Sequence, residues 1–489
     1  MATRPNILIL MTDEHSPQWS GPYGNRRVQT PALDQLASAG VTMDNAYCNS
    51  PLCVPSRMSF MTGRYVYRVG AWDNGAVLPS DAVTWAHRFA AAGYETALSG
   101  KMHFQGLDQW HGFQSRLVSE IHGAGPLGTL PPWRAPQGTI DPVRAGSGGG
   151  GARQRILGAG PGRGTGVAYD EAVRDAAIAF LRQRGAGSGA PPFALCASFI
   201  SPHFPLLAPP ADFDRYWPDV PMPELPRGRH PFHDRLMDHF DVRDLAPEQV
   251  RRARAAYFGL VTFVDRLIGD VLDALEACGL AENTLVVYTA DHGEMLGEHD
   301  LWWKCCFYEH AARVPLLLRW PGRLPAGERR AQVCSLVDLV PTLLAYAGLP
   351  AGGPGDPAGP LDGDPLVDVL TPTGAGSAAA WKDEALSEYH AHASAHPMRM
   401  VRRGRFKLNY VLDEPCELYD LEEDPGETRN LAGLAEYAAV RDQLTRRVLA
   451  GWPARRLERR QRNERRVRPL LGAGRRVPGA VRARSVPAE

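Results

Sequence analysis

The sequence predicts an α/β protein: a large sheet sandwiched by helices, followed by a smaller antiparallel sheet towards the C-terminus. Three observations carry this. Apolar runs that read as buried strands (Ile7–Met11, Phe193–Ile200, Thr284–Thr289) alternate with segments of helical spacing such as Tyr169–Arg184 and Pro247–Cys278. Each of those runs ends in polar residues, where open α/β sheets place their chemistry. After a Gly/Pro-rich stretch beyond Pro350, short strand-like segments follow one another without helices between them.

A chain of 489 residues can bury a large core and suggests one big domain plus a smaller one. Hydrophobic content of 44% and charged content of 22% are ordinary for a globular protein. The formal net charge of +0 provides no basic field, so nucleic acid is not an expected partner. Ile7–Met11 is too short for a signal segment, and no stretch approaches the ~20 apolar residues of a membrane span; a cytoplasmic location without membrane partners is expected. The 8 cysteines lack CxxC spacing, and Cys305 and Cys306 are adjacent, so neither a disulfide framework nor a zinc site is indicated.

In chain order, the first strand ends at Thr12-Asp13-Glu14-His15, whose two carboxylates suit either ligand chemistry or turn capping. Thr30-Pro31 open a helix that Gly40 closes. Cys53-Val54-Pro55-Ser56-Arg57 reads as a loop turning into a helix, with Pro55 suited to a first turn. A cysteine there, beside an arginine, has a lowered pKa and a reactive sulfur; the alternative is a buried, inert thiol. Gly70–Asn74 is a polar loop, and a helix runs from about Thr84 to Ala92. Gly93–Phe104 reads as turn, strand and loop. Lys101 and His103, two apart on an extended segment, then share a face and offer the fixed cation and titratable group of oxyanion chemistry, or else are simply solvated.

Residues 123–166 form a Gly/Pro-rich insertion, read as a flexible lid or as a segment without a role. His203 follows the Phe193–Ile200 strand. Asp291 and His292, directly after the Thr284–Thr289 strand, suit a metal-ligand pair, with Gly293 letting the backbone come close. Lys304 lies further on, Arg313–Leu318 reads as the next strand and Leu336–Ala347 as a short helix. Residues 1–350 read as the larger domain and 351–380 as a linker. Residues 381–452 form the small antiparallel subdomain, with strands at Glu384–Tyr389, Met398–Val401, Phe406–Leu408 and Glu417–Asp420. The tail, 453–489, is Arg-rich and reads as a solvated helix or a subunit contact, which leaves a homo-oligomer open.

Cys53-X-Pro55-Ser56-Arg57, an apolar run and Thr62-Gly63-Arg64 resemble the signature of type I sulfatases in the alkaline phosphatase superfamily. The order Asp13-Glu14, Cys53–Arg57, Gly100–His103, His203, Asp291-His292 and Lys304 is similar to that family over about residues 4–430. The resemblance implies a mixed, mostly parallel, alkaline-phosphatase-like sheet. It also implies that a formylglycine-generating enzyme converts Cys53 to formylglycine, whose hydrated aldehyde is the nucleophile. On the same resemblance, Asp13, Glu14, Cys53, Asp291 and His292 hold one divalent metal ion. Lys101, His203 and Lys304 bind and neutralise the ester oxygens together with Asn74, and His203 or Lys304 protonates the leaving alcohol. Arg57 holds the formylglycine, Asp291 deprotonates its attacking hydroxyl, and His103 collapses the sulfated hydrate.

Glu14 and His292 depart from the commonest family pattern, which is Asp and Asn at these positions. Calcium is the family expectation, and the imidazole makes manganese the alternative. The Asp-His pair resembles the branch of choline sulfatases and phosphonate monoester hydrolases. Lys101–Phe104, Asp108–Phe113 and Trp302–Lys304 are closest to choline sulfatase. A quaternary ammonium ligand needs a cage; Trp110 and Trp133 are the candidates, while Glu388-Tyr389-His390-Ala391-His392 has His where that branch carries a second acid. The expectation is a sulfatase acting on the sulfate ester of a small organic molecule, with a phosphonate monoester or phosphodiester hydrolase as the alternative.

Overall fold

Ile7, Leu8, Ile9, Leu10 and Met11 are all buried, which makes the first strand, β1 (Asn6–Asp13), a continuous apolar run covered on both faces. The computed structural model describes residues 4–121, 151–185, 189–223, 229–350, 352, 356, 358–371 and 381–473. The other strands of the main sheet are β2 (Val41–Tyr47), β3 (Glu95–Gly100), β4 (Ser115–Val118), β5 (Phe193–Pro202), β6 (Thr284–Ala290), β7 (Arg313–Val314), β8 (Leu316–Arg319) and β9 (Glu328–Ser335). Their order is β9-β2-β8-β6-β1-β5-β3-β4, with β7 paired to β2. Pairing is parallel except at β7 and at β8, which runs against both β2 and β6.

Alternate residues of β1 point to opposite faces. Leu8 and Leu10 pack with the long helices Thr165–Gly185 and Pro247–Ala277. Ile7, Ile9 and Met11 pack on the other side against Val54, Met58, Phe89 and Leu343, from helices Cys53–Thr62, Trp85–Ala91 and Leu339–Tyr346. The sheet is therefore the expected mixed, mostly parallel layer between helices. Among the described residues no helix is long and apolar enough to cross a membrane.

Glu384–Tyr389, Met398–Arg403, Phe406–Val411 and Glu417–Asp420 form the second sheet, a sequential antiparallel meander. Helix Ala438–Leu449 covers it, with Leu444 and Val448 against Leu386, Val401, Leu408 and Leu418. The buried Lys407 ties it to the main sheet's side of the molecule. Its Nζ lies 2.8 Å from Glu309 and 2.6 Å from Glu427.

Several expectations change. The Gly/Pro-rich insertion is not flexible throughout: Ala152–Leu157 is a helix with Ala152 and Ile156 buried, and Gly160–Pro161 pairs with Leu207–Ala208. Its first part, 123–150, which includes Trp133, lies outside the described residues. The described part of the linker is docked, with the Asp362 N–H donating to the Gly63 carbonyl at 2.9 Å and Val369 and Leu370 buried. Arg313–Leu318 is two strands, because Pro315 has no N–H to continue a ladder. The tail helix, Ala454–Ala473, is not simply solvated, since Leu457 packs with Trp72 and Trp452.

Candidate active site

The parallel pairing of β1 and β6 puts Thr12 opposite Ala290, so the residues that follow, Asp13 and Asp291, emerge side by side at the C-terminal edge of the sheet. Helix Cys53–Thr62 starts against that edge. Its N-cap, Leu52, has no side-chain acceptor, and Asn74 supplies one from the neighbouring loop, its Oδ1 accepting the Val54 N–H at 3.0 Å. At the other end Gly63 takes a left-handed φ of 66° and donates to the Ser59 carbonyl. Cys53 and Arg57 are four apart and share a helix face. Arg57, fully buried, donates through Nε to Asp291 Oδ2 at 2.7 Å and through Nη2 to Asp13 Oδ2 at 2.8 Å. Its Nη1 bonds the Lys101 carbonyl at 2.7 Å and Ser198 Oγ at 3.0 Å. One guanidinium thereby links β1, β6, the end of β3 and β5.

The other predicted residues close around Cys53. Its Sγ is 3.2 Å from His292 Nε2 and 3.9 Å from Asp13 Oδ1. His292 Nδ1 lies 3.0 Å from the Gly293 carbonyl oxygen, so the ring donates there and turns its Nε2 lone pair inward. Gly293 is required, since a Cβ would run into the His310 carbonyl oxygen. Lys101 Nζ is 2.6 Å from Asp13, Lys304 Nζ 2.9 Å from Glu14, and His203 Nε2 3.3 Å from Glu14. The ligand atoms of Asp13, Cys53, Asp291 and His292 lie within 4.8 Å of one another, as do those of Asp13, Glu14 and His203. This buried set of carboxylates and an imidazole lone pair fits one divalent cation. Glu14 groups with Asp13 and His203 and is paired with Lys304.

Burial alone would raise the Asp13 carboxyl, but Lys101, His203, Arg57 and His292 hold it well below the usual range. Glu14 goes the other way: burial raises it well above, Lys304 opposes, and the neighbouring Glu294 adds. The Cys53 thiol is not the reactive, low-pKa sulfur that its place at a helix N-terminus suggests. Burial pushes it up to about 12, Asp13 adds, and Lys304 and Lys101 only partly offset this. Arg57 does not rescue it, because both of its faces are spent on Asp13 and Asp291.

One further expectation is corrected. Lys101 and His103 do not share a strand face: β3 ends at Gly100, and His103 has a φ of 62° in a turn whose Met102 and His103 N–H groups donate to Glu120. Asn74 caps the helix through Oδ1, a bond that does not involve its side-chain NH2 group.

The Sulfatase family profile matches residues 5–349, and the profile for the C-terminal part of N-sulphoglucosamine sulphohydrolase matches residues 297–451. The chain belongs to the sulfatase family. It is 35% identical to choline-sulfatase of Rhizobium meliloti (strain 1021) over 446 residues, which cover 88% of this chain and 82% of that protein. It is 30% identical to an arylsulfatase of Clostridium perfringens over 481 residues, 91% of this chain and 94% of the relative. The phosphonate monoester hydrolase structure from Agrobacterium radiobacter superposes with a TM-score of 0.71 at 25% identity, covering 94% and 96% of the two chains. The sulfatase is thus an enzyme of the sulfuric ester hydrolase class in an alkaline-phosphatase-like fold.

Sequence reasoning missed several residues that build this sulfatase's site. Ser198 completes the Arg57 cradle, Glu120 pins the His103 turn, and Tyr257 Oη donates to the Glu14 carbonyl at 2.7 Å. Glu294 accepts the Leu296 and Trp303 N–H groups, both at 2.7 Å, and so fixes the loop that carries Lys304. None has a local motif; only Glu294, two residues beyond His292, sat inside a stretch already under suspicion. Beside His203 and Phe204 a cavity of about 170 Å³ opens, lined by Ile121, Val167, Ile200 and Leu207.

Proposed function

We propose that this sulfatase hydrolyses the sulfate ester of a small organic molecule, using formylglycine made from Cys53 and one divalent cation. The observation that carries the reading is Cys53 itself, fully buried at the centre of a constellation that holds cations and carboxylates around it. A protein that needed a thiolate would not bury it beside Asp13. A position whose sulfur is exchanged for a hydrated aldehyde has no such conflict, and Sγ stands where one hydrate oxygen would lie.

Asp13, Asp291, His292 and residue 53, with Glu14 alongside, would hold the cation, which supplies Lewis-acid polarisation and offsets the carboxylate charge. The His292 imidazole among oxygen donors keeps Mn2+ beside Ca2+. Asp291 Oδ1 accepts the Glu14 and His292 N–H groups, whereas Oδ2 accepts only Arg57 Nε in the described contacts and keeps a lone pair for the nucleophile's proton. As the hydrate oxygen bonds to sulfur, the bond from sulfur to the alcohol oxygen breaks. Lys101, Lys304 and His203 neutralise the sulfuryl oxygens, and His203 or Lys304 gives the alcohol its proton. His103 then takes the proton of the second hydroxyl, the C–O bond to sulfate breaks, the aldehyde returns, and water hydrates it again.

A phosphonate monoester hydrolase is the second reading, favoured by the Agrobacterium radiobacter likeness across 94% of the chain. A cytoplasmic setting is supported by the cysteines, all eight of which are free thiols. The test is mass spectrometry of the Cys53 peptide after co-expression with a formylglycine-generating enzyme, together with assay of Cys53→Ala. The reading expects an aldehyde at 53 and no turnover by the variant. An unmodified thiol together with unimpaired turnover by Cys53→Ala contradicts it.

A further inference from the structure

The geometry points to Arg155 as a specificity-determining residue that binds a second anionic group, a carboxylate or a further sulfate, carried by the alcohol part of the ester. This rests on the sulfatase reading and adds the class of alcohol. Arg155 lies on the Ala152–Leu157 helix, which the buried Ala152 and Ile156 anchor. Its guanidinium carbon is 4.2 Å from the centroid of the Phe204 ring. That ring is 3.8 Å from the His203 ring, and Lys304 Nζ is 5.0 Å from its centroid. One aromatic side chain therefore contacts both the lysine proposed to bind sulfate and a second cation.

Arg57, Lys101 and Lys304 each have a carboxylate within hydrogen-bonding distance. Arg155 is half-buried, and among the described residues its guanidinium has the Phe204 ring as its contact and makes neither an ion pair nor a hydrogen bond. Burial pushes its guanidinium down and the Glu14 carboxylate of the site pulls it back, so the two share one electrostatic environment. Stacking on Phe204 fixes the plane of the guanidinium and leaves its N–H fork for a planar or tetrahedral anion. Among the described residues, the acid that a quaternary ammonium cage would use is committed elsewhere. Glu388 is taken by His390 and by the Trp452 indole, each at 3.1 Å, and Trp110 is 50% exposed. An extra cation beside the site, with Glu388 already partnered, favours an anionic alcohol over choline.

The experiment uses aldehyde-bearing wild type, Arg155→Ala and Arg155→Lys with three phenyl sulfates bearing a para carboxylate, carboxamide or trimethylammonium group. The wild type is expected to prefer the carboxylate to the carboxamide by about tenfold in kcat/KM, as one charge-assisted pair allows, and to turn over the trimethylammonium ester least. Arg155→Ala brings the carboxylate-to-carboxamide ratio to near one through KM, and Arg155→Lys restores part of it. A ratio that Arg155→Ala leaves unaltered, or a wild-type preference for the trimethylammonium ester, overturns the assignment. The same three substituents on phenyl phosphonate monoesters are run in parallel. Turnover of phosphonates alone would count against sulfate while still reading the Arg155 preference.

Discussion

Arg57 is the residue on which the site's electrostatics turn. It faces two buried carboxylates, and removing it leaves Asp291 without its closest counter-charge and Asp13 leaning on Lys101. Arg57→Ala is expected to cost about 3–5 kcal/mol, read as a marked fall in Tm, together with loss of turnover. Arg57→Lys should recover little, because one ammonium cannot reach Asp13, Asp291, Ser198 and the Lys101 carbonyl at once. The same carboxylates are proposed to hold the cation, so the metal should stabilise the fold. Adding Ca2+ or Mn2+ to chelator-treated protein at a hundred times Kd should raise stability by about 2.7 kcal/mol, and Asp13→Asn should abolish that rise. Thermal melts measure both. At this scale the metal-side residues were legible, since Asp13, Asp291 and His292 directly follow apolar runs. Arg155 and Phe204 were not: they meet through space, from a Gly-rich segment and from the turn after β5.

At the scale of elements, the catalytic helix depends on a cap from outside itself. Asn74→Ala is expected to destabilise by about 1 kcal/mol and to lower kcat, because the Val54 N–H loses its acceptor and residue 53 shifts with the first turn. Asn74→Asp keeps an acceptor and should retain most of the stability. Differential scanning calorimetry with parallel kinetics separates the two variants. Strands buried on both faces, such as β1, β5 and β6, announced themselves by continuous apolar runs. β9 did not, because Glu328–Ser335 is exposed at its start and buried only from Val333. The antiparallel β8 was hidden by the apolar run it shares with β7 across Pro315. The Lys101–His103 segment misled because strand alternation fails once the chain turns left-handed at His103.

At the scale of the molecule, Lys407 joins the antiparallel sheet to the main domain by sitting between Glu309 and Glu427. Burial raises Glu427 to about 8 against the pull of Lys407, whereas Lys407 and nearby arginines overcome burial to hold Glu309 at about 2. A carboxyl raised on folding binds more protons in the native state, so its contribution is present below its unfolded pKa and is lost as pH rises towards 8. Wild-type Tm should therefore fall more steeply than that of Glu427→Gln between about pH 5 and 8, with a slope difference of at most ~1.4 kcal/mol per pH unit. Glu309 acts in the opposite sense, losing its contribution as pH falls from its unfolded value towards 2. The two-sheet division was legible because strand spacing changed after the Gly/Pro-rich stretch; this buried triad was not, since its members come from three separate segments.

Sulfate against phosphonate is the choice on which the account stands. The most direct measurement is the ratio of kcat/KM for an aryl sulfate to that for the matching aryl phosphonate monoester, on protein carrying the aldehyde at residue 53. A ratio well above one is the expected result. A ratio well below one would contradict the sulfate reading and make this a phosphonate hydrolase acting through the same residues.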